Sequence, residues 1–220
     1  MRMTAIFLVR VFLAPVFLAL ATCLGAAAQH PTPYNLADLL KNNAIDTVAG
    51  SGLAVFPGDP PGAISAVNNV WFRNITFREG TIDLDLRGKN EFLKSFLGIL
   101  FHGTDTGHFD VLYFRPFNFR HSDTARRRWS VQYMAIPKHD YAVLRKAHPL
   151  VYENAVTPVP DPDDWFHFRM TIKAGMLTVW VDHSATPSLQ VHLLADNDGQ
   201  QFGLMSDGLR SDFRNLVITK

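Results

Sequence analysis

The chain predicts an all-β fold, an antiparallel sandwich or jelly roll with one or two short helices. Three observations carry this. Strict two-residue alternation marks residues 81–87 and 166–173, about ten short apolar runs recur at close intervals, and 14 glycines and 13 prolines punctuate them.

In order along the chain, Pro31-Thr32-Pro33 is an extended leader, and Asn35 caps a short helix through Lys41. Residues 50–62, with Pro57, Pro60 and Pro61, form a loop because proline has no amide proton for a ladder. Residues 70–77 and 81–87 read as the arms of a hairpin turned by Arg78-Glu79-Gly80. In the second arm Ile82, Leu84 and Leu86 face the core, and Asp83, Asp85 and Arg87 face away.

Residues 96–101 are almost wholly apolar, as in a strand buried on both faces. Residues 109–115 and 129–135 form two more strands, joined by a polar, basic connection over 118–128. Asp140 caps a second short helix inside a long loop carrying Pro137, Pro149, Pro158, Pro160 and Pro162. Phe166, Phe168, Met170 and Ile172 then alternate with His167, Arg169, Thr171 and Lys173. Gly175 turns the chain into residues 177–182, and runs at 189–194, 201–205 and 213–219 complete the set.

Arg2 and Arg10 precede an apolar run over 11–24 that ends in Gly25-Ala26-Ala27-Ala28, the pattern of a secretory signal peptide cleaved after Ala28. The run is short for a membrane span, and Arg10 and Pro15 interrupt it. Leu20-Ala21-Thr22-Cys23 offers the alternative of a lipoprotein anchored through Cys23. The organisation expected is therefore a signal over 1–28, a leader over 29–49 and one sandwich domain over 50–220, secreted or periplasmic, with no span left after processing.

Cleavage removes Cys23, the single cysteine, so no disulfide contributes to stability. It also removes Arg2 and Arg10, taking 21 Lys and Arg down to 19 against 20 Asp and Glu. Such a balance argues against a nucleic-acid partner, and Arg126-Arg127-Arg128 reads as a solvated hairpin tip.

The segments Gly80-Thr81-Ile82-Asp83-Leu84-Asp85, Leu97-Gly98-Ile99-Leu100-Phe101, Trp165-Phe166-His167-Phe168-Arg169, Val179-Trp180-Val181-Asp182, and Gly203-Leu204 through Phe213-Arg214-Asn215-Leu216 carry a resemblance over roughly residues 50–220. In this arrangement the chain resembles the concanavalin A-like lectin/glucanase superfamily, and within it exported bacterial domains grouped with family 16-like, 3-keto-disaccharide hydrolase proteins. The resemblance implies a curved sheet with a carbohydrate groove on its concave face, used for sugar recognition or glycoside processing. Laminarinase-type members carry Glu-x-Asp-x-x-Glu on one strand, and the nearest segment here, Thr81 to Arg87, has neither glutamate.

The richest candidate site runs from Phe109 to Arg120. Arg115, Asn118 and Arg120 bring guanidinium forks and an amide suited to sugar hydroxyls or carboxylates, with Tyr113, Phe117 and Phe119 as stacking surfaces. An internal salt-bridge network is the alternative. Gln132 joins as the polar-face residue of its strand, with Tyr133 in the core, and Tyr141, Arg145, Tyr152 and Glu153 are placed to close over a ligand from the long loop. Glu153 is the loop carboxylate for acid/base work, unless it simply pins the loop by pairing with Arg145.

Asp83 and Asp85 share a strand face about 7 Å apart, within the range of about 5 to 9.5 Å that glycosidase carboxylates occupy. The alternative is a solvated face whose counter-charges come from Arg87 and neighbouring strands. Asp196-Asn197-Asp198-Gly199 matches the start of a calcium loop or a hairpin turn but lacks the distal glutamate. His102 and His108 have no third metal ligand nearby in sequence. The function expected is glycan binding with no cofactor, calcium being the exception. A glycoside-processing hydrolase using Asp83, Asp85 or Glu153 is the alternative, and an envelope protein that mediates protein contacts is a third class.

Overall fold

The computed structural model describes residues 30–47, 52–55 and 62–220, so the expected signal segment and Cys23 lie outside the described residues. The elements of the N-terminal half are β1 (Pro31–Tyr34), α1 (Leu36–Lys41), β2 (Ile45–Thr47), β3 (Ala54–Val55), β4 (Ile64–Ala66), β5 (Val70–Thr76), β6 (Gly80–Arg87), β7 (Ser95–Asp105) and β8 (His108–Phe114). Two single-turn helices follow, α2 (Pro116–Phe119) and α3 (Thr124–Arg127). Then come β9 (Val131–Ile136), α4 (Tyr141–Ala147), β10 (Glu153–Asn154), β11 (Phe166–Lys173), β12 (Met176–Val181), β13 (Leu189–His192), β14 (Gln201–Gly208) and β15 (Ser211–Thr219).

These strands form two antiparallel sheets. The eight-stranded sheet runs β13-β12-β11-β6-β15-β4-β3, with β1 also on β15, and the seven-stranded sheet runs β10-β9-β8-β7-β14-β5-β2. The alternation seen in sequence lines the space between them: Ile82, Leu84 and Leu86 of β6 and Phe166, Phe168, Met170 and Ile172 of β11 meet Leu97, Ile99, Phe101, Leu112, Phe114 and Tyr133 of the facing sheet. Aromatic rings lock the two layers, with Phe114 5.2 Å from Phe166 and 5.4 Å from Phe168, centroid to centroid. No helix among the described residues is long and apolar enough to cross a membrane.

Residues 70–77 and 81–87 are not a hairpin. β5 lies in the seven-stranded sheet and β6 in the other, so Arg78-Glu79-Gly80 carries the chain across the sandwich. Phe77 is buried and turns into the core, and the Arg78 carbonyl is tied to the His102 ring at 2.8 Å. Gly80 has φ 121°, and a Cβ there would lie 2.1 Å from the Thr219 carbonyl oxygen of β15. A positive φ is needed here, but for a close crossing rather than a two-strand turn. The same correction applies to Asp196-Asn197-Asp198-Gly199, which joins β13 and β14 across the two sheets.

The leader residues take part in the sheets. Pro31–Tyr34 pairs with Thr219 to Leu216 at an edge of the sheet, where proline is tolerated, and Ile45–Thr47 pairs with β5. Both short helices expected from capping are present. Asn35 Oδ1 accepts from the Asp38 amide at 3.1 Å, and Asp140 Oδ1 accepts from the amides of Ala142 and Val143 at 2.8 Å each. The connection over 118–128 contains structure that its polarity concealed: Pro116 starts α2 at its first turn, and Asp123 caps α3 by accepting from the Ala125 amide at 2.9 Å.

The seven-stranded sheet is apolar on both sides. Its outer face carries a second cluster of Trp71, Leu100, Phe109, Val111, Tyr113 and Met134, onto which Leu144 of α4 packs. β7 is thus buried above and below, as the apolar run at 96–101 predicted, and so are its neighbours β8 and β9.

Two substitutions separate core from surface. Leu84→Ala, at a side chain with 0% exposure in β6, lowers the unfolding free energy in a urea titration by about 2–5 kcal/mol. Arg120→Ala, which removes an exposed 2.9 Å pair with Asp161, changes it by no more than about 1 kcal/mol.

Candidate functional site

Alternation on β8 sends Leu112 and Phe114 into the inter-sheet core and Tyr113 to the outer face of the seven-stranded sheet, with Arg115 following at the strand's end. On β9 the same rule sends Val131, Tyr133 and Ala135 inward and Gln132 and Met134 outward. Register aligns Tyr113 with Gln132 and Gln132 with Glu153, so three polar side chains lie in one row across β8, β9 and β10. Pro116 then breaks the ladder and bends the chain into α2, which brings Phe117 and Asn118 over the end of that row.

Arg115 organises the row. Its Nη2 donates to Gln132 Oε1 at 2.5 Å and to the Tyr113 hydroxyl, and its Nη1 donates to the Trp129 carbonyl at 2.8 Å. The Tyr113 hydroxyl donates in turn to Gln132 Oε1 at 2.8 Å. Burial pushes the Tyr113 pKa up to about 12, against the charges of Arg115 and Arg145, so the hydroxyl keeps its proton at neutral pH. Burial also lowers the pKa of Arg115, yet a guanidinium starts so high that it stays charged.

Arg145 of α4 reaches back to β10 and grips Glu153 with both nitrogens, Nε to Oε1 at 2.9 Å and Nη2 to Oε2 at 2.6 Å. This hydrogen-bonded pairing raises the Arg145 pKa. The guanidinium also lies over the Trp129 ring at 4.3 Å. Glu153 therefore pins α4 to the sheet edge.

Two buried polar atoms have no partner among the described residues: Asn118 Oδ1 and Gln132 Nε2. Neither amide can be turned to cure this. Gln132 must present its oxygen to Arg115, which only donates, and Asn118 must present its nitrogen to the Trp129 carbonyl, 3.1 Å away, which only accepts. Asn118 lines a hollow of 360 Å³ walled by Leu93, Phe96, Tyr113, Arg115, Phe117, Arg126, Trp129, Met134, Tyr141, Arg145, Met205 and Asp207. A second hollow of 470 Å³ shares Trp129 and Arg145 with it and extends to Glu153 and Leu150. Together they offer aromatic faces, fixed donors and acceptors, and an excess of guanidinium groups.

Of the residues singled out in sequence, Arg115, Asn118, Gln132, Tyr141, Arg145 and Glu153 come together here, with Gln132 forming the floor beneath Arg115. Arg120 does not join them, because its exposed side chain turns to Asp161 at 2.9 Å. Phe117 walls the hollow, while Phe119 belongs to the inter-sheet core. Asp110, on the inward side of β8, is buried away from Arg115 with His102 at 2.9 Å and Asn197 at 2.9 Å. Asp196 is held by Lys138 at 3.2 Å and His139 at 2.5 Å. Among the described residues no three His, Cys, Asp or Glu are grouped as metal ligands.

Asp83 and Asp85 lie on the outer face of the eight-stranded sheet, on the far side of the sandwich. They clasp a single imidazole between them: His167 Nε2 is 3.1 Å from Asp83 Oδ1 and Nδ1 is 2.9 Å from Asp85 Oδ1. Arg169 donates to Asp83 at 2.8 Å, and Arg214 and Asn215 donate to Asp85 at 3.0 and 2.8 Å. The expected counter-charge Arg87 goes instead to Asp212, at 2.8 Å. The ring of His183 stacks on His167 with centroids 4.2 Å apart.

Sequence reasoning missed Trp129, Phe96, Met205, Asp207 and Arg126. Met205 and Asp207 stand beside β7 only because β14 pairs with it, a contact between residues about a hundred positions apart that leaves no local trace. Arg126 had a signal, since three residues on lies an aromatic on the same side of a helical turn, and its guanidinium is 6.0 Å from the Trp129 ring.

No family model matches the chain, and no curated protein matches it. Among solved structures the chain is similar to the carbohydrate-binding module CBM66 from Bacillus subtilis, with 12% identity over 79% of this chain and 93% of that one and a TM-score of 0.53. It is also similar to a Bacillus subtilis protein of unknown function with a galectin-like fold, with 12% identity, 88% and 96% coverage and a TM-score of 0.56. A Bacteroides ovatus mixed linkage glucan GH16 protein, solved with a G4G4G3G product, gives 8% identity, 86% and 94% coverage and a TM-score of 0.52. At these identities the likeness is one of fold alone, a sandwich of two antiparallel sheets.

Proposed function

We propose that the protein is an exported glycan-binding domain whose site is the hollow around Arg115 on the outer face of the seven-stranded sheet. The observation that carries this is the buried, unpartnered Asn118 Oδ1, which lines the hollow in fixed orientation beside Arg115. A buried polar atom left without a hydrogen bond costs about 1–3 kcal/mol. Sugar hydroxyls both donate and accept, so a glycan is suited to meet the free acceptor of Asn118 and the donors of Arg115 together. Trp129, Phe117 and Phe96 supply apolar walls of the kind a sugar face stacks on. Two of the proteins with this fold are described as a carbohydrate-binding module and as a mixed linkage glucan GH16 protein in complex with a G4G4G3G product, which supports the same ligand class.

For the three acids singled out in sequence, Asp83, Asp85 and Glu153, recognition is favoured over hydrolysis by how each is held. A general acid or nucleophile needs a carboxyl group open to the substrate. Asp83 and Asp85 are both engaged by His167 and by flanking donors, and both oxygens of Glu153 are engaged by Arg145.

Binding of the purified protein to a panel of oligosaccharides and polysaccharides, measured by calorimetry, tests the reading. Binding without turnover is expected, weakened about 10-fold or more by Arg115→Ala and unchanged by Asp85→Asn. Turnover that disappears in a folded Glu153→Gln variant would move the conclusion to a glycoside-processing enzyme. Neither binding nor turnover across the panel would leave a protein-contact role.

The clasp on the other sheet has its own signature. Burial opposes charge on His167, but its hydrogen bonds to Asp83 and Asp85 outweigh this and raise its pKa from 6.5 to about 9. Burial likewise opposes ionisation of both aspartates, yet the bonds they accept from His167 and from Arg169, Asn215 and Arg214 hold them below 3.8. A raised folded-state pKa gives stability that is complete below pH 6.5 and lost as pH rises through about 9. In urea titrations, the wild-type advantage over His167→Gln should therefore shrink across that window, by on the order of 1–3 kcal/mol. An advantage that stays constant with pH would show that the clasp does not hold a charged imidazole.

A further inference from the structure

Arg115 stands apart from other arginines that lie against the sheets in its electrostatics. Arg87 has Asp212, Arg145 has Glu153, Arg169 has Asp83 and Arg214 has Asp85, each within 3.0 Å. Arg115 is 6% exposed, and its hydrogen bonds go to a carbonyl, a hydroxyl and an amide oxygen, all neutral. Taking a cation out of water without a counter-ion is costly, and neutral dipoles offset only part of that cost. The hollow it lines adds to the imbalance. Arg126 faces the same space with its carboxylate partner Asp123 as far as 3.9 Å away, and of the nearby acids Glu153 is already neutralised by Arg145 while Asp207 is exposed.

Two unmet requirements of the hollow, the Arg115 cation and Asn118 Oδ1, can be set against ligand classes. A simple anion without a proton would compensate Arg115 but has nothing to donate to Asn118 Oδ1. A neutral sugar would supply that proton and leave the buried cation uncompensated. A sugar that carries its own anionic group meets both at once.

Resting on the glycan-binding reading, we infer that the ligand is an acidic glycan, whose carboxylate or sulfate enters the hollow and takes charge-assisted hydrogen bonds from Arg115 while a ring hydroxyl donates to Asn118 Oδ1. Arg126 reinforces the anionic group from the rim.

The test compares matched polymers at fixed ionic strength: a polyuronate against its carboxyl-reduced form, and a sulfated polysaccharide against its desulfated form. The charged member of one pair should bind the wild-type protein about 10- to 100-fold more tightly than its neutral counterpart, and the pair that shows it identifies the anion. Arg115→Gln should reduce that preference to near unity in a protein with a wild-type circular dichroism spectrum. Arg126→Gln, at a more exposed side chain, should reduce it several-fold and keeps a variant available if Arg115→Gln does not fold. Equal binding of charged and neutral members would overturn the acidic assignment while leaving glycan recognition in place. A preference undiminished in folded Arg115→Gln would overturn the role given to Arg115, and failure of every polymer to bind would overturn the glycan reading together with this one.

Discussion

β7, β8 and β9 are packed on both faces, and most of what distinguishes this sandwich follows from that. A sheet with one wet face can leave polar side chains to water. Here the outward residues Leu100, Val111 and Met134 form an apolar floor that must itself be covered, and Leu144 of α4 covers part of it. Covering it brings the long loop down onto the sheet, which sets Arg145 against Glu153 and Trp129. The polar side chains that share the same face, Tyr113, Arg115 and Gln132, are then cut off from solvent and have to satisfy one another. The hollow is the place where this mutual satisfaction stops short.

Local features of the chain were legible wherever a local rule applies. Alternation on 81–87 and 166–173 identified the inward residues, the capping residues Asn35 and Asp140 marked helices, and the apolar run at 96–101 announced burial on two faces. Gln132 and Tyr133 were assigned to opposite faces by the same alternation. Sheet membership was not legible. Arg78-Glu79-Gly80 has a glycine at positive φ, which a hairpin and an inter-sheet crossing both require, and only the pairing of β6 with β11 and β15 distinguishes them. The same crossing at Gly80 sends Asp83 and Asp85 to the layer opposite the one that carries Arg115, which local alternation alone does not reveal.

The two polar constellations show why residue type alone does not separate a structural cluster from a binding one. Both set arginines against buried hydrogen-bonding groups on an outer sheet face. On the eight-stranded sheet the two aspartates are matched by His167, Arg169 and Arg214, and Asn215 completes the donor set. Each carboxylate has cationic partners and both imidazole nitrogens are hydrogen-bonded, so ionic pairing and hydrogen bonding are both satisfied there, as expected of groups that hold three strands in register. Around Arg115 neither is: the cation has only neutral partners, and one acceptor and one donor are left over.

That difference is also a matter of rigidity. The Gln132 amide is fixed by two donors converging on its oxygen, and the Asn118 amide by the same Trp129 carbonyl that receives Arg115 Nη1. Trp129 in turn stacks under Arg145, which the bidentate bond to Glu153 holds in place. Arg115, Asn118 and Gln132 are thus each positioned by bonds to fixed partners, and in the two amides the other atom is left unused. A site arranged in this way loses little side-chain entropy when a ligand arrives, because its ordering was completed during folding. The long loop therefore contributes less as a lid than as part of the frame that keeps Arg115, Gln132 and Asn118 in a single geometry.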